Sequence, residues 1–462
     1  MLTRLLLCLA LALAPGAFAQ NEIDDILGDF EDEDAESEVE ELPEIEEPSF
    51  WEMDGSIQLD TAFRYAQKSP GPPVAGQPGP PDYRGLSRLR AQLSLELDLQ
   101  LNDDWEARIA GRGFRDYAYA NERSDYTDDV LDRYQHEIEF QELWIRGRLR
   151  KDLDVKFGRQ IVVWGRSDNL RVLDVLNPLD NRVPGLVDIE DLRLPVTMTR
   201  LDYYKGPWSL TGIAVHESRF DERPVFNQDL VSSIPPGFTR SAVDITRANG
   251  GRDTEWAVAL QGIFTGWDLS FHWARFFDDL GYLSSVVPPV ARLDHSRLNL
   301  WGASTNVAFG NWLFKTEGAY LSGLEFFNVS TEKARSDVMV GVEYSGINDM
   351  QFALEVANRH LHGYNSALGL FPDFQERDRV EMAFRYSGDF RHQTVHLTLV
   401  ALVFGWRAED GSVFRGSIEY DVFDAFSVTG GVLVFEPGNC DQPQVAGADR
   451  GDRIFFNMKY SF

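Results

Sequence analysis

Two histidine spacings and one dense run of mixed charge are the places where this sequence has residues suited to chemistry. His360-x-His362 puts two imidazoles on one face of a strand, because residues two apart point the same way. His392-x-x-x-His396 is the other close pair. Zinc needs three or four ligands, and neither pair has a nearby cysteine or an obvious carboxylate completing a set. The nucleophile elbow Gly-x-Ser-x-Gly and the zinc helix His-Glu-x-x-His do not occur in the chain. The expectation is a protein that is not an enzyme and holds no metal or cofactor. A hydrolase assembled from dispersed Ser, His and Asp residues is the third-ranked reading.

The charge run lies in residues 166–195. Leu170, Val172, Leu173, Val175, Leu176 and Leu186 alternate there with Arg166, Asp168, Arg171, Asp174, Asp180 and Arg182. Long connections without regular structure usually carry function, and one this apolar is poorly suited to bulk water. We expect it to fold inward as a constriction or plug whose six named charges meet charges on a surrounding wall. The alternative is a lid packed on a rim. Asn177-Pro178 should interrupt any helix in it, since proline lacks an N–H and restricts the residue before it.

A wall requires strands, and the sequence has their period. Leu89, Ala91, Leu93, Leu95, Leu97, Leu99 and Leu101 alternate with Arg90, Gln92, Ser94, Glu96, Asp98 and Gln100. One face of such a strand suits hydrocarbon and the other suits water. The connections decide the architecture. Tight turns at Asn102–Asp104, Lys205–Pro207, Thr265-Gly266 and Gly310-Asn311 each lead into a tryptophan, and longer polar loops fall between them. Short and long connections in alternation, with an aromatic girdle beside the short ones, are the pattern of an outer-membrane barrel. We therefore expect an all-β, transmembrane antiparallel barrel over residues 55–462 with about 18 strands, 16 being the alternative count. Such a barrel encloses a lumen wide enough for water. Arg88, Arg90, Glu96, Arg108 and Arg112 should line it, either as selective charges or as a mutually paired, hydrated wall.

The ends of the chain agree with this class. Arg4, the apolar run Leu5–Leu13 and Ala17-Phe18-Ala19 read as a signal peptide over residues 1–19. Residues 20–54 form an acidic tail with the composition of disorder: Asn21–Glu47 holds 15 acidic and no basic residues, half of the net charge of −30. A chain this anionic argues against nucleic acid as a partner. Within the tail, Ile23, Ile26, Leu27 and Phe30 fall on one face of a short helix, either by chance or as a docking element for a periplasmic or inner-membrane partner. Past the signal peptide Cys440 is the only cysteine, which excludes an internal disulfide. At the other end, Ile454, Phe456, Met458, Tyr460 and Phe462 alternate with polar residues. This final strand resembles the signal read by bacterial barrel-assembly machinery, an expected partner beside outer-membrane lipid and lipopolysaccharide.

One longer motif carries a family resemblance. Gly158-Arg159-Gln160-Ile161-Val162-Val163-Trp164-Gly165, followed by Leu170-Arg171-Val172-Leu173-Asp174-Val175-Leu176-Asn177-Pro178-Leu179-Asp180, resembles a signature in a family of proteobacterial outer-membrane proteins. That family is catalogued as a domain of unknown function with a porin-like barrel. The resemblance implies a barrel and no particular substrate. The expected function is a porin-like outer-membrane channel for small solutes or hydrophobic compounds, gated by the 166–195 loop. The alternative is an outer-membrane component of a trans-envelope export system that docks its partner through residues 23–30.

Overall fold

Strict alternation of burial organises the chain. Along the thirteenth strand Lys315, Glu317, Ala319 and Leu321 are buried, while Phe314, Thr316 and Tyr320 between them are exposed. The computed structural model describes residues 50–66, 84–121, 126–187, 192–225, 254–287, 290–438 and 451–462. The signal peptide, the docking residues Ile23, Ile26, Leu27 and Phe30, and Cys440 lie outside the described residues.

The first nine strands are β1 (Trp51–Arg64), β2 (Gly85–Asn102), β3 (Trp105–Asp116), β4 (His136–Arg150), β5 (Leu153–Gln160), β6 (Val196–Lys205), β7 (Trp208–Val215), β8 (Glu255–Phe264) and β9 (Trp267–Phe277). A small separate hairpin follows, β10 (Tyr282–Val287) with β11 (Val290–Asp294). The wall resumes with β12 (Arg297–Phe309), β13 (Trp312–Leu324), β14 (Lys333–Ile347), β15 (Met350–His362) and β16 (Asp378–Phe390). It ends with β17 (Val395–Phe404), β18 (Gly411–Phe423), β19 (Phe426–Pro437) and β20 (Arg453–Ser461). Each wall strand pairs antiparallel with the next, β9 pairs with β12, and β20 pairs with β1 from Ser56↔Ser461 to Arg64↔Arg453. The result is a closed barrel of 18 strands, the number expected from the turns. Closure matters because an open edge leaves a row of backbone groups without partners, which hydrocarbon does not tolerate.

The outer face carries Leu59, Leu93, Phe157, Phe271, Val340, Leu354 and Phe456, all exposed. Trp105, Trp208, Trp267 and Trp312 open their strands directly after short turns. Trp267 stacks on Phe264 across one such turn at 4.4 Å. The termini of the barrel lie at this same short-turn end, where Gln100 N–H donates to Phe50 O at 2.9 Å.

The strands differ from expectation in four local ways. β1 starts at Trp51, four residues before the expected Gly55, because its alternation against Leu99–Leu95 continues that far. β5, which alternation in the sequence predicts over 154–164, stops at Gln160, because Val162 N–H turns to Asn177 Oδ1 and Trp164 N–H to Asp174 Oδ1. The loop after β9 holds the β10–β11 hairpin. The loop after β3 holds two short helices, α1 (Tyr117–Asn121) and α2 (Asp128–Tyr134). Asp128 and Asp129 begin α2 and Arg133 ends it, charges that suit its dipole, and its buried Val130, Leu131 and Tyr134 face the site described next.

Candidate functional site

After Gln160 the chain enters the barrel, crosses it, and returns to the wall at Val196. Apolar side chains supply most of its attachment. Leu170, Val172, Leu173 and Leu176 join one buried cluster with inward residues of β8, β9 and β12–β15, among them Ala259, Ala274, Leu300, Leu321, Met339 and Ala357. Leu186 joins a second cluster with Ala62, Leu433, Phe435 and Phe455 on β1, β19 and β20. The segment therefore contacts wall regions from two different sectors of the ring. Its described residues pack on inward-facing side chains of the wall, and we refer to the segment as the plug.

Two glycines mark its closest approaches. Gly302 on β12 lies against Leu173, and a Cβ there would overlap the leucine methyl. Gly165 has φ +91°, a left-handed conformation that side chains disfavour, and a Cβ there would strike Glu317.

Glu317 and Glu355 organise the polar side of the same attachment. Glu317 accepts hydrogen bonds from the backbone N–H groups of Arg166, Ser167 at 2.8 Å and Leu173 at 3.2 Å. Glu355 accepts from the N–H groups of Asp168 at 2.8 Å, Asn169 at 3.1 Å and Leu170 at 3.1 Å, and from Ser167 Oγ at 2.8 Å. Both carboxylates are almost fully buried, at 1% and 2% exposure. A buried charge is costly unless hydrogen-bonded, and backbone donors meet that need without a counter-cation. Asn177 braces the other end of the plug. Its Oδ1 accepts from Val162 N–H at 2.8 Å, and its Nδ2 donates to Leu194 O at 2.9 Å and Gln160 O at 3.3 Å. Sequence reading anticipated only that Asn177-Pro178 would break a helix.

The six charges expected at a constriction divide into two sets. Three reach the wall: Arg166 pairs with Asp268 at 2.7 Å, Asp168 with Lys315 at 2.7 Å, and Arg182 with Glu137 at 2.5 Å. The others close the plug on itself. Asp174 is gripped by Arg171 at 3.2 Å and Arg193 at 2.8 Å, and Asp180 pairs with Arg182 at 2.7 Å. Burial alone would raise the Asp180 carboxyl, but the Arg182 guanidinium bonded to it holds it below its usual value. Helix α2 supports this corner, since Tyr134 OH donates to Arg182 O at 3.1 Å and Arg182 Nη1 donates to Arg133 O at 2.8 Å.

The expected wall charges are inward and largely paired. Arg108 makes a two-pronged bond to Asp98, both arms 2.7 Å, and lies 3.9 Å from Glu96. Arg90 lies 3.7 Å from Asp116 and covers the Phe114 ring at 3.7 Å. Arg112 lies 3.8 Å from Glu139. Arg88 instead lines a cavity of about 280 Å³ between Leu186 and Val187 of the plug and the inner faces of β1, β2 and β17–β20. Gln58, Asp60, Arg415, Glu419 and Lys459 share that lining. The opposite side of the plug is held by the buried apolar cluster and by the two carboxylates.

The sequence did not point to Glu317, Glu355, Lys315 or Asp268. Their one signal was a carboxylate or ammonium at an inward position of a strand, as in Lys315-x-Glu317-x-Ala319-x-Leu321. That signal says nothing about which loop will cover them.

Comparison with known proteins follows the same lines. A family model described as "Protein of unknown function (DUF1302)" matches residues 1–462. No curated protein matches the chain. Among solved structures, Acinetobacter baumannii OccAB3 superposes with a TM-score of 0.50 at 10% identity, covering 89% of this chain and 99% of that one. OccAB2 of the same organism gives 0.50 at 9% identity, with coverage of 90% and 99%. A BenF-like porin from Pseudomonas fluorescens Pf-5 gives 0.49 at 10% identity, with coverage of 90% and 98%. The two Acinetobacter structures share the fold of this chain, a porin-like barrel.

Proposed function

The chain belongs to the family described as a protein of unknown function, DUF1302, and from that premise we propose that it is an outer-membrane channel narrowed by its inward segment. The observation that carries the reading is the asymmetry of the plug. One side is anchored to β8, β9 and β12–β15 by buried apolar side chains and the Glu317 and Glu355 carboxylates, and its other side leaves the polar cavity beside Arg88, Asp60 and Lys459. Small solutes, charged or amphipathic, are the class suited to such a lining.

In barrels of this kind the short turns face the periplasm. That orientation places the plug's attachment at Gln160 and Val196 toward the outside, after export directed by residues 1–19. Planar-bilayer recording tests the channel. Stable conductance steps that enlarge when residues 168–194 are deleted are the expected result, and silence of both proteins would end the proposal.

One observation favours keeping the export reading beside it. The chain enters β1 at the short-turn end, the side proposed to be periplasmic. Pull-down of periplasmic and inner-membrane proteins with wild-type chain and with Ile26→Asp/Phe30→Asp tests docking, and equal recovery would remove it.

A further inference from the structure

Among the described residues, pairing in the wall lapses between β4 and β5. β4 pairs with β3 along its whole outer half, from His136↔Arg115 to Glu142↔Ala110. On its other edge, pairing with β5 begins only at Leu143↔Arg159. Beyond that point β5 has turned into the lumen, and among the described residues His136–Glu142 have no strand partner on that side. The paired stretch Leu143–Arg150, at about 3.3 Å per residue and a tilt of about 40°, puts the opening roughly 20 Å above the short-turn end. The apolar band of such barrels is about 25 Å tall, so the opening begins at the level of the outer leaflet.

Charged side chains fill this place where backbone pairing lapses. Arg159 stands on the outward face of β5, between the inward Gly158 and Gln160. It donates to Phe140 O at 3.0 Å, to Glu139 at 2.9 Å and to Glu217 at 2.7 Å. Glu217 accepts in turn from Thr197 N–H and Oγ1, both at 2.9 Å. On the lumen side Glu139 lies 3.8 Å from Arg112 and 2.5 Å from Arg219. A continuous polar chain thus runs through the wall, from Arg112 by way of Glu139 and Arg159 to Glu217.

Beside this chain the outer surface is hollowed into a groove of about 690 Å³. Ile109, Ile138, Phe140, Leu143, Ile145 and Phe157 supply most of its lining, with Ile138 91% exposed. A polar seam through a wall, flanked by an apolar groove, is unsuited to a purely polar solute or to a plain hydrocarbon. It is suited to a molecule with both parts, whose head exchanges hydrogen bonds along the seam while its tail stays in the groove.

We propose that the β4–β5 opening is a side portal through which a single-chain amphiphile passes between the lumen and the outer leaflet. This rests on the channel reading above. Movement of the head past Arg159 requires the Arg159–Glu139 pair to part, so that pair is the latch, and Arg159 is a positioning residue for the opening.

The test uses the full-length protein in liposomes with palmitate carrying a terminal diazirine, mapped after photolysis by residue-level mass spectrometry. Ion conductance of the same preparations is recorded in parallel. The portal predicts labelling of Ile138, Phe140 and Leu143 at least about fivefold above the outward residues Phe314 and Val340, with further label on the lumen-facing Arg108 and Trp144. Leu143→Trp, which fills the groove, should abolish the excess at Ile138 and Phe140. Arg159→Lys, a milder change, should raise the lumen-side label at least twofold. Even labelling around the belt in a conducting protein would overturn the portal and leave the channel standing. Groove labelling in a protein silent in bilayers, with and without residues 168–194, would remove the channel and the portal with it.

Discussion

Glu317 and Glu355 stand on the inward faces of β13 and β15 and together accept seven hydrogen bonds from residues 166–173 of the plug. Six of the donors are backbone N–H groups, so the attachment depends on chain conformation more than on the plug's side chains. Removing one carboxylate strands several buried donors, a loss of about 1–3 kcal/mol, or roughly 5- to 150-fold in an opening equilibrium. Glu317→Gln and Glu355→Gln are each expected to speed amide exchange in Arg166–Leu173 by that factor and to enlarge conductance, while the barrel keeps its heat-modifiable mobility on gels. Unchanged exchange in both variants would show that the carboxylates do not hold the plug.

Leu173 and Gly302 predict a compensating pair. Leu173→Ala empties a buried site and should weaken the plug by about 2–5 kcal/mol. Gly302→Ala puts a methyl where the leucine lies and should also loosen it. Combined, the new methyl occupies part of the vacated space, so the double variant should be less perturbed than the sum of the two. Protease protection of the plug measures all three.

The outer connections and the plug should answer pH in opposite senses. Burial pushes the Asp279 carboxyl well above its usual range, and the nearby Asp221 adds to it; burial raises Asp221 as well. A raised acid stabilises its folded surroundings at low pH, and that contribution is lost as pH rises through the elevated value. Asp180, held low by Arg182, contributes above the ordinary aspartate value and loses its effect as pH falls through its depressed one. Amide protection in residues 219–223 and 278–281, relative to the intrinsic exchange rate at each pH, should therefore be lower at pH 8 than at pH 5, and Asp279→Asn should flatten the difference. Protection around Asp180–Arg182 should stay constant over the same interval.

Arg88 and Lys459 line the cavity beside the plug together with Asp60 and Glu419. Fixed charges at a constriction set which ions pass. Arg88→Glu is expected to move the reversal potential in a salt gradient toward cations by several-fold in permeability ratio, with single-channel current of the same order. Arg108→Glu, inside the wall pairing to Asp98 and Glu142, should instead lower the yield of folded barrel. Equal selectivity in wild type and Arg88→Glu would place the ion path elsewhere.

Strand number and face were legible because alternation is local: Leu89 to Leu101 announces its own outer face with no help from the rest of the chain. The inward course of residues 166–195 was also legible, from the mismatch between their apolar content and an exposed loop. Its partners were not. Lys315 and Glu317 read as ordinary hydrated wall positions, because nothing near them in sequence indicates that Asp168 and Leu173 will lie over them. The end of β5 was missed for a related reason. Ile161–Trp164 has strand-like composition, and only the distant Asn177 and Asp174 claim its N–H groups.

The position of Leu186 between Ala62, Leu433 and Phe455 has a consequence for assembly. Those three residues belong to β1, β19 and β20, the strands that join the two ends of the barrel. Thr61 Oγ1 and Phe456 O, bonded across that joint, are 395 residues apart in the chain. Contacts at such separation form late, because the intervening loop must first be closed. The plug comes from the first half of the chain, and its contacts with β8, β9 and β12–β15 span fewer residues, so we expect it to be in place before then. The last strands to arrive thus complete a ring around something already inside it, and Leu186 offers them an apolar surface to settle on. Loss of that surface, as in Leu186→Asp, would be felt first as slow or failed closure, before any effect on what passes through the finished protein.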